Sequence, residues 1–307
     1  MNAREKEKRK QQLSVALSKF DREKVSLPGI SNAAAKESYL GQLLESIRRV
    51  EYIATIVKRD IADSRADPGS EHFDPHKAAI LFRRRGDIDE AFWVLFLSVY
   101  FGRNAKSGWR LLRDVYGGAP GSTWTWDRIR VQPNGFMRWL VGARRGWERD
   151  GISRGYGNHR KYESLTRLPA AIDSYVKWVG PPRTHTQMVQ ASVAACGARA
   201  EDVFDNLYAS MSSVISFGRT ARFDYLTMVG KTGLADIRPA CPYLAGSTGP
   251  LKGAKLLFGA VGKKWRTRDF ESRVIELGEQ LGVGMQVMED SLCNWQKSPE
   301  RFVPFRG

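Results

Sequence analysis

Two carboxylates stand in company that suits chemistry. Asp224 lies in the run Phe217-Gly-Arg219-Thr-Ala-Arg222-Phe-Asp224-Tyr-Leu226, with apolar neighbours on both sides and arginines two and five residues before it. A carboxylate held in such a place can stabilise positive charge developing on a sugar ring, or take a proton from an attacking water. Glu289 lies in Gly284-Met-Gln-Val-Met-Glu289-Asp-Ser-Leu-Cys293. Four residues separate it from Cys293, so the two share a helix face, with Met285 one turn back. An acid on a semi-apolar face has its pKa pushed upward. Asp290 points about 100° away and is expected in solvent. The plain alternative for Asp224 is a helix-face salt bridge to Arg222 or Arg219, and Cys293 reads as a core residue.

Three further segments supply cations, aromatics and glycines. The run Gly157-Asn158-His159-Arg160-Lys161-Tyr162-Glu163 is dense in polar and aromatic groups on an expected loop. Asn158, His159, Arg160 and Tyr162 suit hydrogen bonding to an extruded base or its decoration, and Lys161 suits a phosphate. The run Phe101-Gly-Arg103-Asn-Ala-Lys106-Ser-Gly-Trp109-Arg110 puts Arg103 and Lys106 beside an indole at a helix junction. There Trp109 either stacks on a base or fills the core. The run Gly246-Ser-Thr-Gly249-Pro-Leu-Lys252-Gly253-Ala-Lys255 joins an apolar stretch to a helix. Its glycines allow a tight turn whose backbone N–H groups face a phosphate, as in helix-hairpin-helix modules, with Lys252 and Lys255 adding charge. An ordinary helix–helix turn explains the same residues. Arg219 and Arg222 join the expected phosphate contacts.

Other chemistries are poorly supplied. Among four histidines only His72 and His76 are spaced i, i+4, and Pro75 interrupts them, so no metal site is expected. No Walker A or dinucleotide fingerprint is present, and no cofactor is expected. Cys196, Cys241 and Cys293 lie far apart without CxxC spacing, which fits a reducing cytoplasm. The first twelve residues are charged and lack the apolar run of a signal peptide. Lys and Arg number 49 against 33 Asp and Glu, a formal charge of +16. A surplus of that size points to a polyanionic partner, DNA above all.

The elements that must hold these residues read as helices. Hydrophobic residues make up 42% of the 307 residues and aromatics 11%, enough for a sizeable core. Residues 1–27 form a charged lead-in, helical and partly frayed. From Ala33 to Ile61, Leu40, Leu43, Leu44, Ile47, Val50, Ile53 and Val57 recur at helical spacing. The polar stretch 62–74 is the expected boundary between an N-terminal helical arm (1–74) and a catalytic body (75–307). Asp87 with Glu90 reads as a capping box opening a helix through Tyr100. Further helices are expected at 105–116, 134–149, 169–179, 186–196, 200–215, 219–229, 249–258, 269–281 and 284–296, with loops at 117–133 and 150–163. No alternating strand pattern and no internal repeat appear, so the fold class is all-α.

Taken together, the runs FLSVYFGRNAKSGWRLL, GNHRKYESL, GRTARFDYL, YLAGSTGPLKGAKLLF and GVGMQVMEDSLCNWQKSP resemble the alpha-glutamyl/putrescinyl thymine pyrophosphorylase family, clade 3, over roughly residues 40–305. The resemblance implies a DNA-glycosylase-like helical fold, related to the helical domain of 5-hydroxymethyluracil DNA kinases. It also implies action on hypermodified pyrimidines of bacteriophage DNA, with Asp224, Glu289 and the Asn158–Lys161 run at the shared motifs. Three functions stay open. One is a glycosylase excising a hypermodified pyrimidine as an antiphage defence. The second is a transferase displacing pyrophosphate from activated 5-hydroxymethyluracil in DNA. The third is a DNA-binding module without catalysis. Buried-looking acids argue against the last, and a chain without a partner kinase or methyltransferase tilts toward the first.

Overall fold

A computed structural model describes residues 3–118, 122–181 and 183–304. Fourteen α-helices and no strand occur among them: α1 (Ala3–Glu23), α2 (Ala33–Val57), α3 (Pro75–Arg85), α4 (Ile88–Phe101), α5 (Arg110–Gly117), α6 (Trp126–Val131), α7 (Pro133–Arg149), α8 (Leu168–Val179), α9 (His185–Cys196), α10 (Ala200–Ser210), α11 (Arg219–Thr232), α12 (Gly249–Phe258), α13 (Thr267–Leu281) and α14 (Met285–Trp295). The all-α class is as the sequence implies. No described helix is long and apolar enough to cross a membrane. The chain groups into two compact units, one from Ile56 to Arg238 and one from the residues up to Thr55 together with those from Pro239 onward.

The larger unit is organised by α4. Every residue of this helix from Ala91 to Phe101 is buried. A helix apolar all round cannot sit at a surface and must be covered on every side. Helices α3, α5, α6, α9 and α11 all pack on it. Phe96 stacks on Tyr175 at 3.9 Å and on Phe217 at 4.7 Å between ring centroids. The Trp93 indole N–H donates to the Trp124 carbonyl at 2.8 Å.

The smaller unit closes the N-terminal helices onto the C-terminal ones. Charge does not fray α1: Leu13, Leu17 and Phe20 are buried at helical spacing and hold it down, against α13. Helix α12 crosses α14 closely because glycines face it. A Cβ on Gly253 would lie 2.4 Å from the Leu292 carbonyl oxygen, and one on Gly249 would lie 2.7 Å from Cys293 Sγ. Gly246, with φ +72° and open space around it, makes the turn that precedes the helix.

Several local expectations give way to specific contacts. Glu90 does not cap α4. Its carboxylate accepts the Tyr116 hydroxyl and the Trp126 backbone N–H, the latter at 2.7 Å, and burial pushes its pKa up to about 7. The stretch 117–133 is not all loop, since Thr125 caps the short helix α6; residues 119–121 of it lie outside the described ones. The helix expected from 105 begins at Arg110 instead. Asn104 Oδ1 accepts from the backbone N–H groups of Lys106 and Ser107 at 2.9 Å each and folds 104–108 into a turn. Asp290 is not left to solvent: it accepts Arg49 at 2.5 Å and Asn294 at 2.9 Å. Side-chain competition for local backbone or distant partners decides each case.

Replacing Gly253 with Ala drives a methyl group into backbone, which cannot move aside as a side chain tip can. We expect Gly253→Ala to destabilise by about 1–3 kcal/mol, read as a lower denaturant midpoint at unchanged slope. An unaltered midpoint would show that the α12–α14 crossing relaxes freely.

Candidate active site

Helix α11 is buried along most of its circumference, at Ala221, Phe223, Tyr225, Leu226, Thr227, Met228 and Val229. Within that run Arg222 is half-buried and Asp224 is exposed to solvent. Lys231, seven residues on, returns to the same face of the helix. The neighbouring residue Tyr225 points into the protein and is fully buried. Its hydroxyl lies 2.7 Å from that of Tyr175, which lies 2.6 Å from His185 Nε2. His185 Nδ1 and the His185 backbone N–H reach Asp89 Oδ1 at 2.7 and 2.6 Å. Burial lowers the His185 pKa, so the ring is neutral. Its Nδ1–H donates to Asp89, and its Nε2 accepts from Tyr175. This chain, buried up to half-exposed Asp89, fixes the rotation of α11 and thereby the face on which Asp224 emerges.

Asp224 touches water and is nonetheless crowded by protein. The crowding raises its pKa above the usual carboxylate value. Arg160, Lys231, His159 and Arg219 pull it back down, in decreasing order of effect. All four act on it electrostatically. The result is a reactive-looking acid: exposed to solvent, with a raised pKa, and set among positive charges.

Arg160 is placed by packing. Its guanidinium lies 5.5 Å over the Phe217 ring, and Nη1 donates to the Ser216 carbonyl at 3.3 Å. Burial lowers its pKa, with Asp224 the largest opposing influence. Nη2 is enclosed without a hydrogen-bond partner. Ser216 adopts φ +68°, a left-handed conformation costing roughly 1–2 kcal/mol for a residue with a Cβ. The Ser216 hydroxyl, donating to Glu163 at 2.6 Å, holds it there. The short turn Asn158–Arg160 rests on Gly157, whose N–H donates to the Phe101 carbonyl at the end of α4, at 2.8 Å. A Cβ on Gly157 would lie 2.8 Å from the backbone of Gly102, so both glycines are needed for that approach.

The structure thus brings Asp224, Arg160, His159 and Arg219 together. Asn158, Lys161 and Tyr162 are exposed on the same turn, with the Lys161 ammonium 5.3 Å over the Tyr162 ring. Arg222 turns elsewhere: its guanidinium lies 4.3 Å over Tyr208 and donates to the Tyr208 carbonyl at 2.9 Å. Trp109 is half-buried and meets His76 edge-on at 5.4 Å. Together with Arg103 it lines a separate pocket, whereas Lys106 is exposed on the 104–108 turn. Glu289, Gly246, Gly249, Lys252, Gly253 and Lys255 belong to the smaller unit, where Lys252 and Lys255 are exposed and Glu289 is half-buried. Lys231 was not singled out in the sequence. Its spacing of seven from Asp224 was the signal available. No cluster of metal-ligating side chains occurs among the described residues, and all three cysteines are thiols.

A carboxyl with a raised folded-state pKa binds its proton more tightly in the fold than in the unfolded chain. Its contribution to stability is therefore complete below the unfolded value and is lost as pH rises through the folded one. We expect Asp224→Asn to be more stable than the wild type at neutral pH, with the difference shrinking as pH falls toward 4. Denaturant midpoints across that range test this. A variant that is less stable at pH 7 would contradict the electrostatic picture.

Comparison with known proteins adds one match. No curated protein and no solved structure gives one. The family model described as alpha-glutamyl/putrescinyl thymine pyrophosphorylase clade 3 matches residues 34–307, a span that includes all but the first residue of α2, every later helix and all the site residues above. The chain belongs to the alpha-glutamyl/putrescinyl thymine pyrophosphorylase family, clade 3.

Proposed function

We propose that this chain acts on modified bases in DNA, and that its reaction is excision of a hypermodified pyrimidine, leaving an abasic site. The observation that carries the reading is Asp224, a solvent-reachable carboxylate with a raised pKa ringed by Arg160, Lys231, His159 and Arg219. The family's name, with its modified thymines, supports a modified pyrimidine as the target. The net charge of +16 supports a polyanionic substrate.

In this reaction the bond between C1′ and the base nitrogen breaks, and its electron pair leaves with the base. The sugar passes through an oxocarbenium-like state, which the Asp224 carboxylate stabilises. Water adds at C1′ and loses a proton to Asp224, and that proton passes through solvent to the departing base. Arg160 and His159 offset the negative charge growing on the base. Asn158 and Tyr162, exposed on the same turn, hold the base or its decoration after extrusion. Lys161, Arg103, Lys106 and Arg219 serve the DNA backbone, as do Lys252 and Lys255 beside the Gly246–Gly253 segment. An enzyme that reads the decoration spares ordinary DNA, which suits defence against phages with hypermodified genomes.

A second reading, transfer to an activated hydroxymethyl base with loss of pyrophosphate, is favoured by the same cations, because Arg160, Lys161 and Arg219 also suit a diphosphate leaving group. The test is incubation with hypermodified phage DNA beside unmodified DNA, scoring alkali-labile sites and released base. We expect abasic sites in the modified DNA alone. We expect Asp224→Asn to lose roughly 10²–10⁴-fold in rate while still binding DNA. The acid limb of the wild-type rate profile lies above the ordinary Asp value, because the ionised carboxylate is required. Loss of turnover in Glu289→Gln and not in Asp224→Asn would move the role to Glu289. Absence of base release from every modified DNA would favour the transferase.

A further inference from the structure

A pocket of about 370 Å³ in the larger unit has four arginines in its wall: Arg65, Arg103, Arg110 and Arg113. Two of them are fixed on neutral acceptors. Arg65 Nη1 donates to the His72 carbonyl at 2.9 Å, and Arg113 Nη1 donates to the Ser70 carbonyl at 3.1 Å. Such bonds set geometry without cancelling charge. Two carboxylates, Glu71 and Asp74, also line the pocket. Asp74 is committed to capping α3, where it accepts the N–H groups of His76 and Lys77 at 3.1 and 3.2 Å. Asp114 lies 3.9 Å from Arg113, but Arg154 holds it at 2.5 Å. The wall therefore keeps a surplus of positive charge in a confined, polar space.

We propose that this pocket binds a phosphoryl group, and that in the DNA complex this group is a backbone phosphate flanking the extruded nucleotide. Guanidinium forks match phosphate oxygens in pairs, which ammonium groups do not. The pocket also adjoins the site. Arg103 follows Gly102, whose Cα and carbonyl carbon abut Gly157, the residue before the Asn158–Arg160 turn. Asn104 Nδ2 donates to the Tyr156 carbonyl at 2.8 Å and ties the same two segments together. A strand whose base is held near Asp224 and Arg160 therefore has a rigidly connected anion pocket beside it, with the Trp109 indole in its wall. The inference rests on the DNA reading above, but not on excision.

The experiment is a scan of neutral methylphosphonates, one phosphate at a time, around a modified pyrimidine in a synthetic duplex. Binding is read by fluorescence anisotropy for the wild type, Arg103→Gln and Arg103→Gln/Arg110→Gln. The single variant alters an exposed side chain and guards against misfolding of the double one. One methylphosphonate should weaken the wild type roughly tenfold, and the double variant should lose nothing further at that position. The double variant should also show a salt slope shallower by about 0.7–0.9 per lost phosphate. If no position couples, but the wild type binds inorganic diphosphate by calorimetry and the variants do not, the pocket takes a free phosphoryl group and the backbone assignment is wrong. Variants that match the wild type in both assays overturn the proposal. Base release is scored separately on the same duplexes, so coupling without release removes the excision reading alone, and release without coupling removes this one alone.

Discussion

The larger unit depends on the burial of one helix. Ala91 to Phe101 of α4 are buried without interruption, so no face of this helix can be left to water. Each full burial of a large apolar side chain stabilises by about 1.5–3 kcal/mol, and α4 supplies several in succession. The covering helices have little freedom in where they lie. Among them is α11, which carries Asp224, with Phe217 just ahead of it stacked on Phe96. The end of α4 runs into Gly102, on which the Asn158–Arg160 turn rests. One core helix thus positions the carboxylate from its side and the cationic turn from its end.

That rigidity makes the electrostatics tolerable. The pKa of Asp224 is raised, and Arg160 is held where its own charge is disfavoured. Ser216 is kept in a left-handed conformation between them and Glu163. None of these would be chosen for stability alone. A functional site commonly stores such costs, and the surrounding fold offsets them. The Tyr225–Tyr175–His185 chain, buried and ending on half-exposed Asp89, has the complementary role. Its bonds are all satisfied internally, which lets it lock α11 without adding an orphaned group to the core.

Much of this was legible in the sequence, and the misses have physical causes. Periodicity located α2, α7, α8, α9, α11 and α14 closely because each repeats apolar residues on a helical face. It failed at 105–116, where Asn104 folds the chain into a turn by hydrogen bonds that no hydrophobic count records. It failed at Glu90, whose spacing from Asp87 suits a cap but whose carboxylate finds Tyr116 and Trp126, residues 26 and 36 positions away. Asp290 was misjudged for the same reason, since Arg49 lies 241 residues off. Long-range polar partners leave no local trace. Within the candidate site, the run around Asp224 and the Asn158–Tyr162 run were both visible, but their convergence depends on Phe217 and on the Gly102–Gly157 contact.

The glycines explain why two arginine-bearing segments of the larger unit meet at the backbone. Gly102 has φ +62°, and a Cβ on Gly157 would lie 2.8 Å from its backbone, closer than a side chain allows. Side chains at that junction would push the 102–108 turn away from the 155–160 segment and separate the arginine pocket from Arg160. With glycines there, the guanidinium of Arg103 and that of Arg160 extend from two segments clamped together at the backbone. Charge concentrated in that way serves a ligand that presents several negative groups at fixed spacing along a chain. A small isolated anion needs only one such pocket. The close backbone contact is therefore better matched to a nucleic-acid strand than to a free phosphate.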